Sequence, residues 1–199
     1  MLPEKIIFIS TAISLLCTFW YIRSVFRGGT RPNMVSWFIW SLAPFIAVFL
    51  GYKAGGGISL LAPFMSGFSP FLIFVFCLFK KDSFWKITLL DFFCGVLSLF
   101  ALVCYILTHS LWISVFFAIA SDLLAYIPTY IKTWKYPETE NTFAYWGGIL
   151  NNAVALLIIK DWSFAIYAFS FYIVLANSFE ILLVYRKKIF RKTKLGISA

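Results

Sequence analysis

Seven apolar runs, broken by short polar connections, take up most of the chain: Ile6–Val25, Val35–Leu50, Ile58–Phe79, Phe84–Leu107, Leu111–Ile131, Thr142–Ile159 and Trp162–Tyr185. At 1.5 Å of rise per residue, about 20 apolar residues cross a hydrocarbon core roughly 30 Å thick. The pattern therefore predicts an all-α membrane protein with seven transmembrane helices, of which the second and sixth are the shortest. With connections this brief, residues 1–199 form a single transmembrane domain.

The two blocks Tyr21–Trp40 and Tyr126–Tyr145 resemble each other at a constant offset of 105 positions. Tyr21 falls on Tyr126, Ile22 on Ile127, Ser24 on Thr129, Arg27 on Lys132, Pro32 on Pro137 and Phe38 on Phe143. Matches at equivalent points of two hydropathy patterns point to an internal repeat. Span four has no counterpart at that offset, so it reads as a connector. The expected organisation is 3+1+3: a three-helix bundle over 5–79, a connector over 84–107, a like-oriented bundle over 111–186 and a basic cytoplasmic tail over 187–199.

Composition agrees. The chain is 62% hydrophobic with 24 Phe, and its mean hydropathy is +0.89. A soluble domain so apolar would have no polar surface to show water. The formal charge of +9 is distributed as a topology signal rather than as a nucleic-acid face. With the N-terminus outside, Arg23, Arg27, Arg31, Lys80, Lys81, Lys86, Lys132, Lys135 and the basic residues from Arg186 to Lys194 are cytoplasmic, 14 of the 17 Lys and Arg. Only Lys5, Lys53 and Lys160 lie outside, which gives N-out, C-in by the positive-inside rule. The basic tail then contacts anionic lipid, and no nucleic-acid partner is expected. With Glu4 beside Lys5 and no small-residue cleavage site, the first run reads as a span, not a cleaved leader. The four cysteines fall within spans, where they pack as small apolar groups; no metal or cofactor is expected.

Polar residues at membrane depth are the candidates for function. Asp122 falls near the middle of span five, where a carboxylate costs about 2.5–3.5 kcal/mol unless it faces a cavity, a partner or a proton. Tyr126 and Thr129 follow on its face. Asp91 is expected to be neutralised by a basic residue such as Lys86, or to sit in helix packing, without a part in transport. Trp37 and its neighbours suit an interfacial belt, whereas Trp40, a turn deeper, suits a pocket. Asn151 and Asn152 point about 100° apart on a helix, so one of them is expected to be central. Asn177 and Glu180 share a face; Glu180 is expected to pair with Arg186 at the cytoplasmic interface. Glu138 and Glu140 are expected to form surface pairs with Lys132 and Lys135, which contribute little. Pro44 and Pro128 are the candidate hinges, and Pro63 and Pro70 mark bends in span three. The three glycines of the loop before span three lack the context of a phosphate cradle.

Pro128-Thr129-x-x-Lys132 resembles the Pro-Gln-x-x-Lys element of the PQ-loop proteins. With the span order, this makes the chain similar to the SWEET and PQ-loop superfamily, and more narrowly to bacterial seven-span proteins with RPNxVSWxIW (here Arg31–Trp40) and PTxxKxWxxPxxE (here Pro128–Glu140). The resemblance implies an integral protein of the bacterial inner (plasma) membrane that moves a small polar solute such as a sugar, amino acid or vitamin by alternating access, with or without proton coupling. The family's aromatic pair on spans two and six falls on Trp40 and on Tyr145 or Trp146; with these rings stacking on the solute, Asn151 and Asn177 are expected to hydrogen-bond it and Asp122 to carry charge or a proton. The chain departs from the pattern where Arg23-Ser24 replaces Pro-Gln. Sugar-transporting members carry an Asn in both spans three and seven, but here span three offers only Ser66 and Ser69, which counts against sugar. KDEL receptors show that the architecture also serves receptors, so a non-transporting receptor or assembly factor is the alternative. An enzyme is not expected: the one His, His109, lies in a loop, and no paired aspartates or Ser-Lys arrangement is present. Homo-oligomerisation is left open.

Overall fold

The computed structural model describes residues 5–53, 61–80, 85–108, 111–159 and 162–196. The triple-glycine loop at 55–57, Lys81, His109, Lys160 and residues 197–199 lie outside the described residues, as do the side chains from 188 onward. Seven α-helices follow in order: α1 (Ile6–Phe26), α2 (Met34–Lys53), α3 (Leu61–Leu78), α4 (Leu89–Leu107), α5 (Leu111–Lys135), α6 (Phe143–Ile158) and α7 (Phe164–Gly196), with a 3-10 turn at Pro137–Thr139. There is no strand among the described residues.

Four helical stretches are long and apolar enough to cross a membrane: Ile6–Phe26, Leu89–Leu107, Val115–Lys135 and Tyr167–Lys187. Three further apolar stretches, Met34–Ile46, Pro63–Leu78 and Phe143–Ile158, are shorter. The surface is paved with large apolar side chains, among them Phe8, Leu16, Phe79, Phe92, Phe100 and Trp112, while Ser10, Ser14, Thr18, Asn151 and Glu180 are buried. A fold that turns its phenylalanines outward and its hydroxyls inward has lipid as its solvent. This is a membrane-embedded helical protein.

In the packing, α3 lies against both α1 and α2, and α7 lies against both α5 and α6. The two trios meet where α1 packs on α6 and α2 on α5. Among the described residues, the backbones of α1 and α2 do not approach within 8 Å of each other, and neither do those of α5 and α6. The third helix of each trio is thus wedged beside the other two. The α4 helix packs on α5 and, less extensively, on α2. Absent side chains set the closest approaches. A Cβ on Gly147 would stand 2.9 Å from the Cβ of Cys17, and one on Gly67 would stand 3.1 Å from the Cβ of Pro44.

The α1–α2 connection is tight. Gly28 turns the chain with a φ of +77°, a conformation L side chains rarely adopt, and its N–H donates to the Val25 carbonyl at 3.0 Å. Asn33 then opens α2, its Oδ1 accepting from the N–H groups of Val35 (3.1 Å) and Ser36 (3.3 Å).

Of the two expectations for Asp91, neutralisation by Lys86 is not met, while a place in helix packing is, and the residue also caps α4. The fourth helix starts at Leu89, not Phe84, so Asp91 sits in its first turn. Its Oδ2 accepts from the Thr88 N–H and hydroxyl, each at 2.5 Å, while the Thr88 hydroxyl accepts from the Asp91 N–H at 3.3 Å. This is a reciprocal capping box, and Oδ1 accepts a further bond from the Asn33 amide. Lys86 is exposed and forms no ion pair with it among the described residues. The far end of α7 also differs: the helix runs on through the basic tail to Gly196.

Candidate functional site

A cavity lies between the two trios. Its wall takes residues from α1 (Ser14), α2 (Trp37, Trp40, Pro44), α3 (Met65, Ser66, Ser69, Pro70), α5 (Asp122, Tyr126), α6 (Ala144, Tyr145, Gly148, Asn151, Asn152) and α7 (Phe169, Ile173, Asn177), and none from α4. The space open to the centre of a water-sized molecule is about 60 Å³. One water needs roughly 10–15 Å³ by that measure, so the cavity has room for more than one water-sized group.

Asp122 is 3% exposed. Its carboxylate accepts a 3.0 Å bond from the Tyr172 hydroxyl, and no cation pairs with it among the described residues. Trp40 is held over it by an indole N–H bond to the Asp122 carbonyl at 3.2 Å. Asn177 accepts from the Tyr126 hydroxyl at 2.7 Å and lies over Gly148, where a Cβ would come within 2.5 Å of its Nδ2. Both amides of the Asn151-Asn152 pair face the cavity. Because α6 passes between α1 and α3, side chains 100° apart serve different neighbours: Asn151 accepts from Ser10 at 3.4 Å, while Asn152 donates to Ser66 at 3.5 Å and to the Gly148 carbonyl at 2.9 Å. The hydroxyls of Ser69 and Tyr145 and the indole N–H of Trp37 are buried with no partner among the described residues, and each such group costs about 1–3 kcal/mol until something bonds to it.

Aromatic rings floor the cavity. Trp37 and Trp40 meet edge to face at 4.9 Å, Trp40 and Tyr126 lie 4.3 Å apart, and Tyr145 stands 5.9 Å from Trp37. Trp37 is 4% exposed; it is a cavity residue, not a belt residue, because it lies three positions before Trp40 on the same face of α2. Trp146 is 50% exposed and lies outside the cavity, since α6 can turn only one of two consecutive rings inward.

Behind this floor lies a polar closure that sequence reading missed. Tyr21, its ring tilted against that of Trp37 at 5.1 Å, donates to Glu140 Oε1 at 2.6 Å. Glu140 pairs with Lys132, and the side chains are 0% and 1% exposed. Lys132 also donates to the Arg31 carbonyl at 2.8 Å, and the Arg31 N–H donates to the Thr139 carbonyl at 2.8 Å. The pair thus ties the α1–α2 loop to the α5–α6 loop, and the expectation of a weak surface pair is corrected. Among the described residues, only Glu138 makes such a contact, 3.8 Å from Lys187 at an exposed position. Glu180 does not snorkel to Arg186. It is fully buried and accepts from Thr133 at 2.5 Å, while Arg186 bonds the carbonyls of Thr133 and Trp134 and lies 4.4 Å over the Trp134 ring.

The motif residues join the cavity to this closure. Thr129 donates to the Ser36 hydroxyl at 2.8 Å, and Ser36 donates to the Ala125 carbonyl at 2.6 Å. Pro128 has no N–H to donate to the Leu124 carbonyl. The α5 carbonyls just before it, at 121, 122 and 125, each receive a side-chain donor from α2 or α4. Pro44 is buried against Gly67. Comparison with family models, with curated proteins and with solved structures finds no match in any of the three.

Proposed function

We propose that the chain is a membrane transporter for a small polar solute, working by alternating access between two three-helix bundles joined by α4. In this reading all seven helices span a bacterial inner membrane, N-terminus outside, and the SWEET and PQ-loop resemblance reflects a shared architecture. The observation that carries it is the cavity between the trios, to which every helix except α4 contributes a wall residue. The neighbour relations support it: α3 stands to α1 and α2 as α7 stands to α5 and α6, and α1 on α6 mirrors α5 on α2. Aromatic rings and the Lys132–Glu140 pair then close one end, and Pro44 and Pro128 are the bends about which half-helices move.

The test does not require knowing the solute. In a chain whose four cysteines are replaced, Ser66→Cys is labelled with a membrane-impermeant thiol reagent from either side of sealed vesicles. Alternating access predicts labelling from both sides, with Glu140→Gln raising the rate from the side of the Lys132–Glu140 pair. Labelling from one side only, unchanged in Glu140→Gln, would favour a receptor and remove the transporter.

A further inference from the structure

We propose that the cavity binds a small organic cation, an ammonium-bearing solute whose charge is met by Asp122 and whose carbon shell packs on Trp37, Trp40 and Tyr126. The inference rests on the reading of the cavity as a solute site and specifies its ligand.

The charge balance of the wall is the first argument. Asp122 is its one acid, and no Lys, Arg or His lines it among the described residues. A carboxylate out of water is costly unless paired, and its one partner here is the Tyr172 hydroxyl, a neutral donor. Lys132, ten residues and so about 15 Å further along α5, is committed to Glu140 and to the Arg31 carbonyl. The remaining polarity is mixed: the Trp37 indole N–H and the Ser69 and Tyr145 hydroxyls are buried without a partner among the described residues, while the Asn151 and Asn177 amide oxygens already accept from Ser10 and Tyr126. An anion would meet repulsion at Asp122 and find no cationic partner. A neutral polyol would leave the carboxylate charge uncompensated.

The aromatic floor is the second argument, and it is independent of the first. Indole and phenol faces attract a cation through the ring quadrupole, and Trp does so best. Trp40 is anchored to the Asp122 backbone itself, so ring and carboxylate are held in one register. A bare proton would neutralise Asp122 but would not need rings, a free Tyr145 hydroxyl or a space of about 60 Å³.

The experiment is a charge scan at constant shape. Detergent-purified full-length protein is titrated with choline, with its uncharged carbon isostere neohexyl alcohol and with the tert-butylacetate anion, and separately with butylammonium against butanol. Binding is followed by quenching of indole fluorescence and by thermal shift. We expect saturable binding of at least one cation, at least about tenfold tighter than its neutral isostere, with the anion silent. In Asp122→Asn the cation should fall to the level of the isostere. Equal affinity for the neutral partner, preference for the anion, or no saturable binding by either cation overturns the proposal, and each is read on the unaltered chain even if Asp122→Asn misfolds. Cation binding without two-sided labelling of Ser66→Cys would remove the transporter reading and leave this one standing; two-sided labelling without charge preference would do the reverse.

Discussion

The α5 helix runs through two regions that handle buried charge in opposite ways. At its end, Lys132 and Glu140 are sealed from solvent and closed on each other, with Tyr21 and the Arg31 carbonyl taking up the remaining bonding capacity. Ten residues earlier, Asp122 is nearly as buried, yet it meets one neutral hydroxyl and an empty space. Under the reading proposed above, Asp122 is the carboxylate a solute would meet, because it lines the cavity; Glu180, likewise buried and bonded to a single neutral hydroxyl, does not. Asp91 sharpens the contrast, since it too is buried but is fully employed in capping α4.

This comparison can be broken by removing charges and small residues in turn. Glu140→Ala should cost most, about 3–5 kcal/mol, because it strands a buried Lys132; denaturation of the purified protein measures it, and a loss below about 1 kcal/mol would place the pair at a wet surface instead. Gly147→Val comes next. It forces α1 and α6 apart at Cys17 and should cost about 1–3 kcal/mol by overpacking, read as a lowered unfolding midpoint. Asp91→Ala should cost about 1–2 kcal/mol through the lost cap and leave choline binding unchanged, which separates the structural aspartate from the open one. Asp122→Asn should have the smallest effect on stability, within about 1 kcal/mol and of either sign, because the amide oxygen still accepts from Tyr172 while the desolvation of a charge is relieved. A large loss of stability there would show that the carboxylate holds helices together.

The gross plan was legible in the sequence because it depends on apolar length alone: each of the seven runs overlaps one of the seven helices, although α1, α2, α5 and α7 extend past the ends of theirs. Asp122 was legible because a carboxylate in mid-span has few innocent explanations. The misreadings came from treating residues near helix ends as wet. Glu140 looked like a loop acid, but Pro137 and the 3-10 turn fold it back under Tyr21. Its eight-residue separation from Lys132 gives no helical spacing by which to detect that. Asp91 was misplaced by where its helix begins, at Leu89, and Trp37 by reading depth along α2 without the face it shares with Trp40. The ring choice between Tyr145 and Trp146 was in principle readable, by the same 100° argument applied to Asn151 and Asn152. For the asparagines that argument failed only because α6 has an interested neighbour on each side.

The length of α7 has a mechanical corollary. Its 33 residues make a rod of about 50 Å, against a hydrocarbon thickness of about 30 Å. In the seven-span reading proposed above, α7 extends beyond the hydrocarbon core, continuous with the segment that carries Asn177 at the cavity wall. A rocking of a few degrees inside would be magnified at this tiller, and a fluorophore or spin label on its free tip would read the motion without touching the site.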